Sequence, residues 1–288
     1  MKIKLVIRKL KNLVSLILIS IALFACSNDS PEIIVQEFQM RLTGETQTFS
    51  EALLEGEIDD TRIKHIAFAG PFQESITLSE GYVNIFIFIK GNGMMLSDSS
   101  SFQLEPESIA IPFVPGNISI KVPEGDTLHF LQFTKELSEQ DKKNMISFPE
   151  ENKYDIFFTR FIDCEPYIEK IKSPKTISRT VLPEDIIPRV ALGTVETIGP
   201  DEVGAHEHAM LDQLFLGLTN NDVTVHADAR STEFKEYYLL HIPIGSTHWV
   251  KVDEDKKLYY MWMDFFLTKE GQEWLKTHKP VEKDKKNY

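Results

Sequence analysis

The sequence predicts an all-β protein built of two related antiparallel barrels, with short connecting and C-terminal helices, and three observations carry that reading. Apolar residues in the 288-residue chain gather in short runs rather than at helical spacing, as in residues 83–89 (VNIFIFI), 213–218 (QLFLGL) and 259–266 (YYMWMDFF). Such runs, bounded by turn residues, are strands. The first two end in hairpin signals, Gly91-Asn92-Gly93 and Thr219-Asn220-Asn221-Asp222. The interval from hairpin to a later proline then nearly repeats, at 21 residues from Gly91 to Pro112 and 23 from Asn220 to Pro243. A repeated interval marks a duplicated unit.

The chain opens with Lys2, Lys4, Arg8, Lys9 and Lys11, runs largely apolar through residues 13–25, and reaches Leu23-Phe24-Ala25-Cys26. A basic head, a short apolar core and a small residue before a cysteine resemble the cleavage box of a bacterial lipoprotein. By that resemblance residues 1–25 are a signal peptide and Cys26 is the lipidated first residue of the mature chain. An apolar run of 13 residues is too short to span a bilayer, which takes about twenty. The expected location is the bacterial cell envelope, lipid-anchored and facing the periplasm or the exterior.

The chain carries 31 basic and 44 acidic residues, a net charge of −13, and losing the signal removes only basic ones. That balance excludes nucleic acid as a partner and leaves the lipid as the sole membrane contact. A small molecule is the expected partner, and self-association is compatible. Cys164 is the only cysteine besides Cys26, so no intramolecular disulfide is available once Cys26 is acylated. Cys164 is read as a buried small residue.

The expected domains follow in order. Residues 1–25 are the signal, 26–60 a tether and lead-in, 61–135 a first barrel without metal ligands, 136–175 a connector, 176–267 a metal-binding barrel, and 268–288 a C-terminal helix and tail. Residues 136–143 are charged and read as helical, and Thr268 can cap the final helix.

The chemistry concentrates in His206-Glu207-His208, Asp212 and the later Pro243-Ile244-Gly245-Ser246-Thr247-His248. On an extended segment His206 and His208 face the same way and Glu207 the other. Asp212 shares parity with Leu214, Leu216 and Leu218, which predicts an inward carboxylate and an outward Gln213. Proline and glycine make residues 243–245 a tight turn that returns His248 toward the first pair. These paired motifs resemble those of the cupin superfamily, small antiparallel β-barrels of the double-stranded β-helix type, with HxH and an acid in one motif and PxGxxH in the next. The resemblance implies that His206, His208, Asp212 and His248 hold one divalent transition metal, with Gln213 as reserve ligand. Two departures stand out, aspartate in place of the usual glutamate and Val252 where asparagine commonly follows the last histidine.

Counted from the hairpins, the histidine places fall near Thr77 and Ser79 in the first unit, and Asn117 and Ile118 stand where its later histidine would be. A bicupin with one ligand-free barrel results, in which His65 and His129 are structural. Nitrogen and oxygen ligands suit Zn, Mn, Fe, Ni or Co alike. The implied activity is that of an extracytoplasmic metal-dependent isomerase or lyase acting on a small acidic or sugar-derived substrate, with the metal as Lewis acid; an oxygenase is also compatible. The alternative is a non-catalytic lipoprotein that binds a small ligand or glycan. His241, Tyr260, His226 and Tyr238 are candidate acids or bases, and Trp249, Trp262 and Tyr260 a candidate aromatic wall. No phosphate loop, nucleophile elbow or CxxC pair is present.

Overall fold

The computed structural model describes residues 32–42, 46–98, 100–113, 116–169, 172–208 and 210–275. Cys26, the expected signal before it and the residues beyond 275 lie outside the described residues. Strands β1 (Ile34–Glu37) and β2 (Thr48–Leu53) lead into β3 (Thr61–Ala69), β4 (Phe72–Leu78), β5 (Tyr82–Lys90), β6 (Gly93–Leu96), β7 (Ser101–Leu104), β8 (Ser108–Pro112), β9 (Gly116–Val122) and β10 (Thr127–Glu136). Helix α1 (Glu139–Ile146) and strands β11 (Ile156–Arg160), β12 (Pro166–Tyr167) and β13 (Ile177–Leu182) follow. The second unit is β14 (Val190–Ile198), β15 (Asp201–His206), β16 (Leu211–Gly217), β17 (Asp222–Ala227), β18 (Arg230–Lys235), β19 (Tyr238–Ile242), β20 (His248–Val252) and β21 (Lys257–Phe266), closed by α2 (Lys269–Leu275).

The duplication is visible strand for strand. One small sheet runs β4-β9-β6-β7 and the other β15-β20-β17-β18, while the large sheets share the orders β8-β5-β10-β3 and β19-β16-β21-β14. The same glycine constraint recurs before each small sheet. A Cβ on Gly70 would lie 1.8 Å from the Pro123 carbonyl oxygen, and one on Gly199 would lie 1.9 Å from that of Asp253. No side chain fits at either place.

The lead-in and connector are built into the barrels rather than draped over them. Strand β1 pairs antiparallel with β19 of the second barrel, and β11 pairs with β8 of the first. Each barrel therefore takes an edge strand from outside its own unit, and β1 joins the second barrel although β2, next in the chain, pairs with β3 of the first. Arg189 adds a latch, its guanidinium lying 2.8 Å from both Asp60 and Asp141.

Between the large sheets lies the main apolar core, where Ile85, Ile87, Leu131 and Phe133 meet Leu214, Leu216, Met261 and Met263. Each such side chain withdrawn from water is worth about 1.5–3 kcal/mol before the cost of ordering it. Separate clusters fill the two barrel interiors. A large-sheet strand is thus covered on both faces, and all seven residues of β16 are buried. Buried strands of this kind read as continuous apolar runs, without the alternation that reveals which face is inside.

Candidate metal centre

His206 ends β15 and His248 begins β20, and the two are direct partners on that ladder. A register shift between Val203 and His206 brings them level. His208 lies just past the strand, so it reaches the site from a loop rather than by strand alternation. Its carbonyl accepts the Gly245 N–H at 3.2 Å, which ties that loop to the turn before β20. Gly245 has φ of +74°, the left-handed conformation the tight turn needs. The three rings crowd together, with centroids at 4.3 Å for His206 and His248, 5.0 Å for His206 and His208, and 5.4 Å for His208 and His248. One ring nitrogen from each lies within 4.8 Å of the others.

Backbone carbonyls select the tautomers. His206 Nδ1 donates to the Gly204 oxygen at 2.7 Å and His248 Nδ1 to that of Ser246 at 3.1 Å, which leaves each Nε2 with its lone pair. Burial, reinforced by the neighbouring His206, lowers the His248 pKa to about 4, so its ring is neutral. His248 Nε2 is buried with no hydrogen-bond partner among the described residues, and so is Gln213 Oε1. Orphaned buried acceptors cost about 1–3 kcal/mol each. Both residues line one small cavity with His208, Leu211, Ile242, Pro243 and Ser246. A divalent cation fits this donor set, since it would satisfy both orphaned atoms and suits imidazole nitrogen and amide oxygen.

Asp212 does not share the site. It points with Leu214 and Leu216 toward the core between the barrels, where its Oδ1 lies 3.3 Å from His241 Nε2. The faces of β16 are the reverse of those expected from parity, because its leucine stripe covers the partner barrel while Phe215 lines its own interior. Gln213, expected outside, lines the cavity beside His208 and His248.

No family model matches the sequence, and no curated protein resembles it closely enough to be recognised. Solved structures do match, over most of the chain. A putative glyoxylate induced protein from Pseudomonas aeruginosa superposes with a TM-score of 0.63 at 11% identity, covering 84% of each chain. An oxalate decarboxylase formate complex from Lactobacillus farciminis gives 0.60 at 12%, covering 83% of this chain and 88% of that one. A cupin 2 conserved barrel domain protein from Leptotrichia buccalis gives 0.57 at 13%, covering 81% and 96%. The chain has the cupin fold.

In its first cupin barrel the ligand places are apolar. His248 stands four residues before Val252, which pairs with Asp201 after Gly199-Pro200; the matching residue, four before Val122, is Ile118, paired with Ile76. Phe68, Phe86, Phe88 and Phe130 fill that interior. His65 and His129 face the other way. Their rings meet at 3.2 Å, Glu51 holds His65 Nδ1 at 2.9 Å, and burial lowers both pKa values, that of His129 to about 4.

The candidate acids and bases lie away from the second cupin's cavity. His241 is held between Glu57 at 2.9 Å and Asp212. Tyr260 is packed against Phe215 inside the barrel. His226 stacks flat on Trp249 with centroids 3.6 Å apart, on the small-sheet face that carries exposed Lys251. Tyr238 reaches toward Glu37. The proposed aromatic wall is therefore dispersed, with Trp249 outside and Trp262 in the packing.

Sequence reasoning missed a buried polar group behind Gln213. Asp264 accepts its Nε2–H at 2.7 Å. Burial raises the Asp264 pKa to about 7, with the Gln213 hydrogen bond opposing and the Glu169 charge adding to that rise, while Lys172 pulls it down. Lys172 in turn donates to Glu169 at 2.5 Å and to Ser178 at 3.3 Å. The signal was available in YYMWMDFF, where a lone acid interrupts an otherwise apolar strand.

Proposed function

We propose that the second cupin barrel is a mononuclear metal centre that binds a small carboxylate, with His206, His208 and His248 as imidazole ligands and Gln213 as the fourth donor. The observation that carries this reading is the convergence of three imidazoles, two of which, His206 and His248, have tautomers set for Nε2 ligation. Bound there, a divalent transition metal would supply Lewis acidity toward an oxygen of the ligand. With an amide where an acid was expected, all four donors are neutral and the ion would keep its full charge of about +2, which favours an anionic ligand over a neutral sugar. The likeness in fold to an oxalate decarboxylase formate complex is consistent with a ligand of that size and charge.

What the chain's own residues do is bind, orient and exclude water. Leu211, Ile242 and Pro243 form the apolar part of the cavity lining, and a dry lining strengthens any charge interaction inside. Ser246 is the one lining side chain among the described residues that is neither apolar nor a candidate ligand. That lining favours an activity driven by the metal, an enzyme of small acids, over isomerisation by a side-chain base. It also favours the second reading, capture of a small acid without turnover. Lipidation at Cys26 and placement in the cell envelope belong to the same proposal and rest on the basic head and cysteine box.

Cobalt(II)-loaded protein offers the test. Formate, oxalate, glyoxylate and a uronic acid should each perturb its visible spectrum, whereas the corresponding neutral alcohols and sugars should not. Product formation from any of the acids selects the enzyme, and spectral change without product selects the binding protein. Equal responses to acids and neutral sugars would refute the carboxylate reading.

A further inference from the structure

Gln213 and Asp264 are direct partners across the β16–β21 ladder, and both side chains are buried in the second barrel. Gln213 Nε2 donates to Asp264 Oδ1 at 2.7 Å. In its ionised form the Asp264 carboxylate accepts hydrogen bonds and has none to give, so in that form this contact sets the amide with its NH2 facing Asp264 and Oε1 facing away. That oxygen is the one left buried without a hydrogen-bond partner among the described residues, on a residue that lines the cavity with His208 and His248.

We infer that Asp264 is a positioning residue, which holds the Gln213 amide with its carbonyl oxygen presented to the three imidazoles. An unrestrained amide can turn over and offer its NH2 instead, and two N–H dipoles aimed at a cation repel it. Asp264 removes that alternative. The arrangement also accounts for a carboxylate in the middle of an apolar strand, where burial would otherwise be costly and unrewarded. Asp264 touches neither the cavity nor a ligand in it, so its effect passes through Gln213.

The inference rests on the metal-centre reading, and the experiment separates the two. Cobalt(II) is titrated into the full chain, stripped of metal, as wild type, Asp264→Asn, and Asp264→Asn combined with Gln213→Glu; thermal unfolding of each stripped protein reports folding. Asp264→Asn offers an amide donor to the Gln213 oxygen and should weaken cobalt binding by about ten- to a hundredfold, with a change in the visible band. The double variant exchanges donor and acceptor, so the new carboxylate is again held by one oxygen and presents the other. Binding should recover to at least the wild-type value.

Unchanged affinity in Asp264→Asn overturns the inference while the metal centre stands. Weak binding in the single variant without recovery in the double variant assigns Asp264 a purely structural role and overturns it as well. Failure of the wild type to bind cobalt, or binding that survives His206→Ala with His248→Ala, overturns the metal-centre reading itself and the inference with it.

Discussion

His206 and His248 meet as ladder partners with their rings 4.3 Å apart, and each donates Nδ1–H to the carbonyl two residues before it, Gly204 in one case and Ser246 in the other. The same local device on two different strands sets both rings by their own backbone. Ligand geometry then depends on how β15 and β20 pair, and on the turn at Gly245 that starts β20.

The first prediction is one divalent transition metal per chain. Elemental analysis after loading and desalting should give near one equivalent, since the ligand places of the first barrel hold Ile76 and Ile118. His206→Ala with His248→Ala should abolish uptake. Two equivalents would place a second centre elsewhere in the chain.

The second prediction separates two adjacent residues. Gln213→Ala should lower metal affinity by about tenfold or more, while Asp212→Ala should leave it unchanged. Asp212 accompanies His241 in the core between the barrels, so its loss should appear as lower thermal stability in stripped and loaded protein alike. The opposite pattern would return the fourth place to the carboxylate.

How far this was legible in the sequence turns on burial. The duplicated strands and the three histidines were readable because turn residues and motif spacing are local signals. The faces of β16 were not. Leu214 and Leu216 on one side and Phe215 on the other are all buried, so parity fixed two alternating sets without saying which set lined the barrel. The borrowed edge strands were invisible for a related reason: nothing in Ile34–Glu37 says that its partner lies some 200 residues away at His241. Asp264 was visible as an anomaly, yet its partner Gln213 appears only once the ladder register is known.

A third prediction concerns the latch between the barrels. Arg189 joins Asp60 and Asp141, and Asp141 is buried and also caps α1. Arg189→Ala should cost about 2–3 kcal/mol in urea unfolding, less than loss of a wholly buried pair because the guanidinium edge is partly exposed. The variant's loss should shrink when Asp141→Asn is added, and independent, additive losses would mean that the pair is not coupled.

A fourth prediction tests the anchor. Cys26→Ala should leave the protein unprocessed or release it from the membrane fraction. Continued labelling of the variant by a radioactive fatty acid would place the acyl group elsewhere.

The last prediction is the acid sensitivity of the first barrel, where His129 touches His65 and both are buried. Burial, with the charges of His65 and Lys90 adding to it, lowers the His129 pKa from 6.5 to about 4. His65 is lowered too, by burial against the pull of Glu51. A histidine whose folded pKa lies below its unfolded value binds its proton more readily when unfolded, so stability rises with pH across the interval between the two. The contribution is complete above about pH 6.5 and disappears as the pH falls toward 4. For His129 the interval corresponds to about 3 kcal/mol. Urea unfolding of metal-stripped protein between pH 7 and 4.5 should show the loss in the wild type. His129→Gln keeps a polar partner for His65 without a group that titrates in this range, and its stability should fall less steeply over the same interval. Parallel curves for the two proteins would mean that the His129 ring is already protonated in the fold or that the unfolded chain keeps it equally protected.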